Sequence, residues 1–556
     1  MVAVTEPFGS LPVAGPRWLK ATLEVKEGRD PLGLQTTTQD RLTPLLLPGI
    51  LELSRRARYL SFHAFLLDEY RRRAGRANRD ALSGFIKARE WEYGLAVLCC
   101  PHQCGSIPVG ALTLRGVISR QESPYPRGES VESLYGGYGL YYRTPLAEFG
   151  IVAKAGTLLG DTPIPIDVLY QLDRAAALAD SFRQAVGDTD YVRQWMFGNQ
   201  PIPREVLVAY AEVGCLCQLA SHPDERDAVH DAIFGEPFDA LSVASTAPVS
   251  EEPLQLVTPS LAAEQRRRST AHFLTLIRAE PAVVSDPSAF REALWSPPPP
   301  RSAVQADTAG QWGALIAKDL WQEALCSIWS EFTRAGVEAT RAGAGRGLTW
   351  EEVRQLASQM TAGPPGLGPD QPTNELIAAV AAGSIGLAPI TEGALTGASL
   401  EDLRVATSQL DTAASGLIAL LELRRRCGNR DGKGWKQASR VSSAWQPSVA
   451  AVLASLDEHL GTSPTVSDTL WWITNRYIFS VHERIAYSKL PEHTFRFRWE
   501  EGRVRFYDNG TGRFPLAAIR WDPLVNLSYD LDLWAWDGDT AKVTERGSQF
   551  IEAVLG

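Results

Sequence analysis

"LLLPGILELSRRARYLSFHAFLLDEY", residues 45–70, is leucine-rich yet carries arginines at 55, 56 and 58. A membrane segment, a nucleic-acid-binding helix and a core helix with a charged back all share that texture. Spacing decides among them. Ile50, Leu53, Ala57, Leu60, Ala64 and Leu67 step by three and four, one stripe along a helix, and Tyr59, Phe62 and Leu66 widen it. Glu52 with Arg56, Asp68 with Arg72 and Glu69 with Arg73 are each four apart, acid first, the favourable order for helix pairs. The stretch predicts a core-facing helix after Pro48-Gly49 with a salt-bridged outer face and His63 on its outer flank. Arg56, Arg58 and Tyr59 are expected to be structural.

The whole chain supports a folded rather than a membrane protein. At 556 residues it is too long for one hydrophobic core, and three or four domains are expected. No apolar run reaches the roughly 18 residues of a membrane span, and the N-terminus lacks the basic-then-apolar pattern of a signal peptide. Seven cysteines, an odd number, suit reduced thiols in a cytoplasm. A net charge of −10 confines any polyanion contact to local patches.

Periodicity predicts a mainly α, multidomain chain. Residues 1–170 read as a mixed α/β N-terminal region, 171–235 as a helical extension, 236–262 as a linker and 263–440 as a helical domain. Residues 441–556 read as a winged-helix-like α+β module. In its hairpin, "HTFRFRWEEGRVRFYD", turning at Glu501-Gly502, period two sets Arg496, Arg498, Arg503 and Arg505 against Phe495, Phe497, Val504 and Phe506. Four arginines on one face read as a wing that meets phosphate. Thr349 with Glu352 is a capping box, and Leu403, Ala406, Leu410, Ala413, Leu417 and Leu421 predict one helix after Ser399.

A second basic stretch, "LRRRCGNRDGKGWKQASR", contributes to seven basic and two acidic residues over 421–440. Arg424, Arg425, Arg426, Arg430, Lys433 and Lys436 would follow a phosphate backbone while Trp435 stacks on a base. The alternative is a helix end whose dipole favours cations, with Gly428 as its cap.

Catalytic patterns are missing: there is no phosphate-binding G-x-x-x-x-G-K-[ST] loop and no G-x-S-x-G elbow. "CCPHQC" offers Cys99, Cys100, His102 and Cys104 to a zinc ion. Structural zinc sites pair two knuckles, however, and Cys215 and Cys217 in "VGCLCQL" read as small core residues. The expectation is reduced thiols, no bound metal and no other cofactor.

Three elements together resemble an uncharacterised family of bacterial proteins encoded in phage-defence gene clusters. They are the Pro48-Gly49 run leading to Arg56-Ala57-Arg58-Tyr59, the helix "IKAREWEYGLAVL" with Arg89 and Glu90, and "SLYGGYGLYYRTPLAEFGI". The match spans about 45–151, and the Cys/His cluster between the second and third elements departs from the family pattern. The resemblance implies antiviral defence beside a helicase or nuclease partner, with no catalytic residue to carry over. The leading expectation is a non-catalytic or scaffold component of that system, contacting DNA or RNA. A metal-dependent nuclease or other hydrolase, and a protein-interaction subunit without nucleic-acid contact, are the alternatives.

Overall fold

The computed structural model describes residues 30–74, 78–120, 123–159, 162–235, 259–360, 368–385, 390, 399–508 and 512–556. Most of the expected linker, 236–258, lies outside them. The protein is mainly α; the strands among the described residues form two-stranded antiparallel pairs, with a few isolated bridges beside them. Among the described residues no helix is long and apolar enough to cross a membrane.

The chain forms two compact units. One is built from the chain up to Arg41 and from Gly313–Ala517, the other from Leu42–Trp312 and Ala518–Gly556. These boundaries cut across those read from sequence. The hairpin Phe497–Phe506 belongs to the first unit, and the hairpin Trp534–Val543 with the closing helix Glu545–Leu555 belongs to the second. The two hairpins expected in one C-terminal module thus fall in different units.

In the second unit the opening stretch forms the core helix Arg58–Glu69, which starts a full two turns later than its apolar stripe suggests. Gly49 takes a positive φ of 74°, and turns follow to residue 57. Asp530 explains the late start. Its carboxylate accepts the Ala57 N–H at 2.9 Å and binds Arg56 through Nε (3.0 Å) and Nη2 (2.9 Å). A carboxylate at the positive end of a helix substitutes for a side-chain cap. The predicted Glu52–Arg56 pair is therefore replaced: Glu52 instead accepts the Arg520 N–H at 3.1 Å. The other two predicted pairs form, Asp68–Arg72 at 2.6 Å and Glu69–Arg73 at 2.8 Å. Leu53, placed on the stripe by spacing, is half exposed because it precedes the helix.

His63 is buried, not flanking. It packs among Tyr59, Tyr138 and Tyr142 and lies 3.5 Å from Glu90. Glu90 stands on the helix Arg79–Leu98 and accepts the N–H groups of Gly137 (2.8 Å) and Tyr138 (2.5 Å). The three family-like elements therefore meet around one buried carboxyl. Loss of hydration pushes Glu90 up to about 8 against those two hydrogen bonds, and burial holds His63 down to about 3. Both groups are neutral near pH 7, so their proximity is not an ion pair.

This pair gives stability a defined pH profile. The Glu90 carboxyl is raised, so its contribution is lost as pH rises toward 8; His63 is lowered, so its contribution is lost as pH falls below its unfolded value. Between the ordinary glutamate and histidine values, folded and unfolded states bind equal protons at these two sites, and stability is flat. From about pH 6.5 to 8 only folded Glu90 keeps its proton, and stability should fall by about 1.4 kcal/mol per pH unit from this site. Urea unfolding of wild type and Glu90→Gln across that range checks it. The glutamine variant should lose that component of the slope.

The first unit is organised around the long helix Ala303–Ala342, of which residues from 313 onward lie in it. Trp321, Trp329 and Phe332 are fully buried there. The helix predicted from 400 to 421 is interrupted: Asp411 takes a left-handed φ of 48°, giving separate helices Leu400–Leu410 and Ala413–Cys427. Thr412 then caps the second helix, accepting the Ser415 N–H at 3.2 Å.

Candidate functional site

The hairpin forms as its alternation predicts. Strands Phe497–Glu500 and Arg503–Phe506 pair with Phe497 opposite Phe506, Arg498 opposite Arg505, Trp499 opposite Val504 and Glu500 opposite Arg503. Glu501 (φ 50°) and Gly502 (φ 76°) make the two-residue turn, both with the positive φ that hairpin twist requires. Phe497, Val504 and Phe506 are buried, with Trp329 and Phe332 behind Phe497.

A neighbouring loop turns this ribbon into a recess. Leu348 exchanges two backbone hydrogen bonds with Val504, each 2.7 Å. That close approach needs Gly347, whose φ is 75° and whose missing Cβ would sit 3.1 Å from the Val504 carbonyl oxygen. Arg346 is thereby held beside the arginines of the hairpin. The recess, about 710 Å³, is lined by Gly345, Arg346, Arg498, Trp499, Glu500, Glu501, Arg503 and Arg505. Beside it Trp499 packs on Trp350 at 5.5 Å, and each is more than a third exposed.

The arginines do not stand alone on the face expected to meet phosphate. Glu500 lies 2.8 Å from Arg498 and 3.8 Å from Arg505, and Glu352 lies 3.6 Å from both Arg346 and Arg503. The Arg346–Glu352 pair is exposed on both sides, and a pair of that kind contributes about 0–1 kcal/mol. Four arginines against Glu500 and Glu501 on the lining and Glu352 beside it leave a local excess of one positive charge. Arg496 is not part of it. It precedes the first strand and is buried, its N–H donating to His482 Nε2 at 2.9 Å.

The second basic stretch is not a loop with a free tryptophan. Arg425 and Arg426 each bind Glu422 at 2.6 Å, Arg424 pairs with Asp457, and Lys436 lies 2.5 Å from Asp431. Lys433–Ser439 is a short helix that buries Trp435, and Arg430 covers the indole at 5.4 Å. Burial takes the base-stacking role from Trp435. Gly428 follows the helix with φ −58°, not as a left-handed cap.

Arg58 is fully buried and grips Glu225 through Nε (3.0 Å) and Nη2 (2.8 Å), while its Nη1 donates to the Cys215 carbonyl at 2.5 Å. The Tyr59 hydroxyl accepts the Val109 N–H at 2.9 Å. Contrary to the expectation of a single knuckle, the first cysteine pair has a partner pair. Cys215 and Cys217 lie beside Cys100 and Cys104, whereas Cys99 is buried outside the group and His102 Nε2 meets the Glu212 carbonyl at 3.1 Å. The signal was present as two close cysteine pairs, but the break at Cys215 between helix and 3₁₀ turn hid it.

Comparison of the chain with protein-family models, with curated proteins and with solved structures found no match.

Proposed function

We propose that this protein is a non-catalytic component of a bacterial antiviral defence system in the cytoplasm, contacting DNA or RNA through the arginine–tryptophan recess and working beside a helicase or nuclease. The recess is the observation that carries the nucleic-acid part: cationic side chains at its wall and exposed indoles at its rim suit phosphate contact with base stacking. The defence setting rests on the family-like elements around Glu90. The nuclease alternative would need a set of carboxylate ligands, and the one ligand grouping found among the described residues is made of thiols.

A salt titration tests this reading. Arg346 and Arg505 are at least half exposed, so Arg346→Gln with Arg505→Gln should leave folding within about 0.5 kcal/mol per site. Oligonucleotide binding should weaken alike across sequences, and the slope of log affinity against log salt should flatten by roughly two units. Unchanged affinity and slope would transfer the recess to a protein partner.

A further inference from the structure

We infer that Cys100, Cys104, Cys215 and Cys217 form a structural zinc site. Their sulfurs all lie within 4.8 Å of one another, with Cys100–Cys217 at 3.8 Å and Cys104–Cys215 at 3.7 Å. A zinc ion with Zn–S bonds of about 2.3 Å sets the edges of its tetrahedron at about 3.8 Å. A disulfide would need about 2.05 Å, so neither close pair is one. Bridged clusters of several irons hold their thiolates farther apart than one ion does, so the compact group suits a single metal.

Local backbone makes the group deliberate. Cys100 follows the end of the helix Arg79–Leu98, where Gln103 (φ 48°) and Gly105 (φ 66°) turn the chain back and the Gln103 N–H meets the Cys100 carbonyl at 3.2 Å. Cys215 ends the helix Arg204–Gly214 and Cys217 stands in the next turn, so the second pair is one residue apart across a corner. Arg58 fixes that corner by its bond to the Cys215 carbonyl, the outer support that metal ligands require. Cys215 is buried while the other three reach toward the surface, which gives the ion a way in and is not how small apolar thiols pack. Four thiolates close the coordination sphere, leaving no position for substrate. The ion would join the end of one helix to the end of another.

Elemental analysis of the full chain, purified without chelator or immobilised metal, should find one zinc per chain. A mercurial reagent should release that zinc to a chromogenic chelator as thiols are blocked. The double variant Cys100→Ser, Cys217→Ser should fall below about a tenth of an equivalent, while Cys99→Ala keeps the full amount. Cobalt substituted into the wild type should show the intense visible bands of a tetrahedral thiolate site. If the double variant fails to fold, release from the wild type still decides. Absence of metal with all seven cysteines titrating, a Cys100–Cys217 disulfide, or one equivalent of iron would each overturn the assignment.

Discussion

Replacing Arg58 with alanine should cost about 3–5 kcal/mol, because it leaves the buried Glu225 carboxylate without its bidentate partner. Glu225 is about as buried as Arg58, and the Ser61 hydroxyl, 2.6 Å from its Oε1, is too weak a substitute for a guanidinium. Lysine should recover little, since a point charge cannot reproduce the two parallel bonds. Calorimetry should place the loss in the transition of the unit that contains residues 42–312. A stable Arg58→Ala protein with lost activity would make Arg58 a functional residue instead. The same variant frees the Cys215 carbonyl, so the thiol corner should loosen with it.

Trp329→Ala should cost a similar amount, about 3–5 kcal/mol, in the other unit. The indole is fully buried, 4.8 Å from the His482 ring and 5.9 Å from Phe497. Phe497 anchors the hairpin whose outer face carries Arg498 and Arg505. Removing its support should therefore weaken oligonucleotide binding together with stability, whereas the surface substitutions at Arg346 and Arg505 should separate the two. Denaturant unfolding and binding measured on the same preparation check this.

Helical segments and turns were legible because their causes are local. Thr349 with Glu352 forms its reciprocal capping box, and Glu501-Gly502 forms its turn. What sequence could not supply were partners distant along the chain. Asp530 takes Arg56 from Glu52, and Glu225 answers Arg58 from 167 residues away. The same distance hid the thiol group, whose two pairs are brought together by the packing of the helix Arg79–Leu98 against Arg204–Gly214. Trp435 misled for the opposite reason. Its basic neighbours suggested phosphate contact, but Arg425 and Arg426 answer Glu422 within one turn and the indole fills its own short helix.

Photo-crosslinking reads the recess at the hairpin directly. A single-stranded oligonucleotide carrying 5-bromouracil, bound to the full chain, irradiated and digested, should attach to the peptide containing Trp499. That attachment should disappear in Trp499→Leu while the fold is retained. Crosslinks confined to other peptides, or none at an oligonucleotide concentration that saturates binding, would contradict nucleic-acid contact at this site.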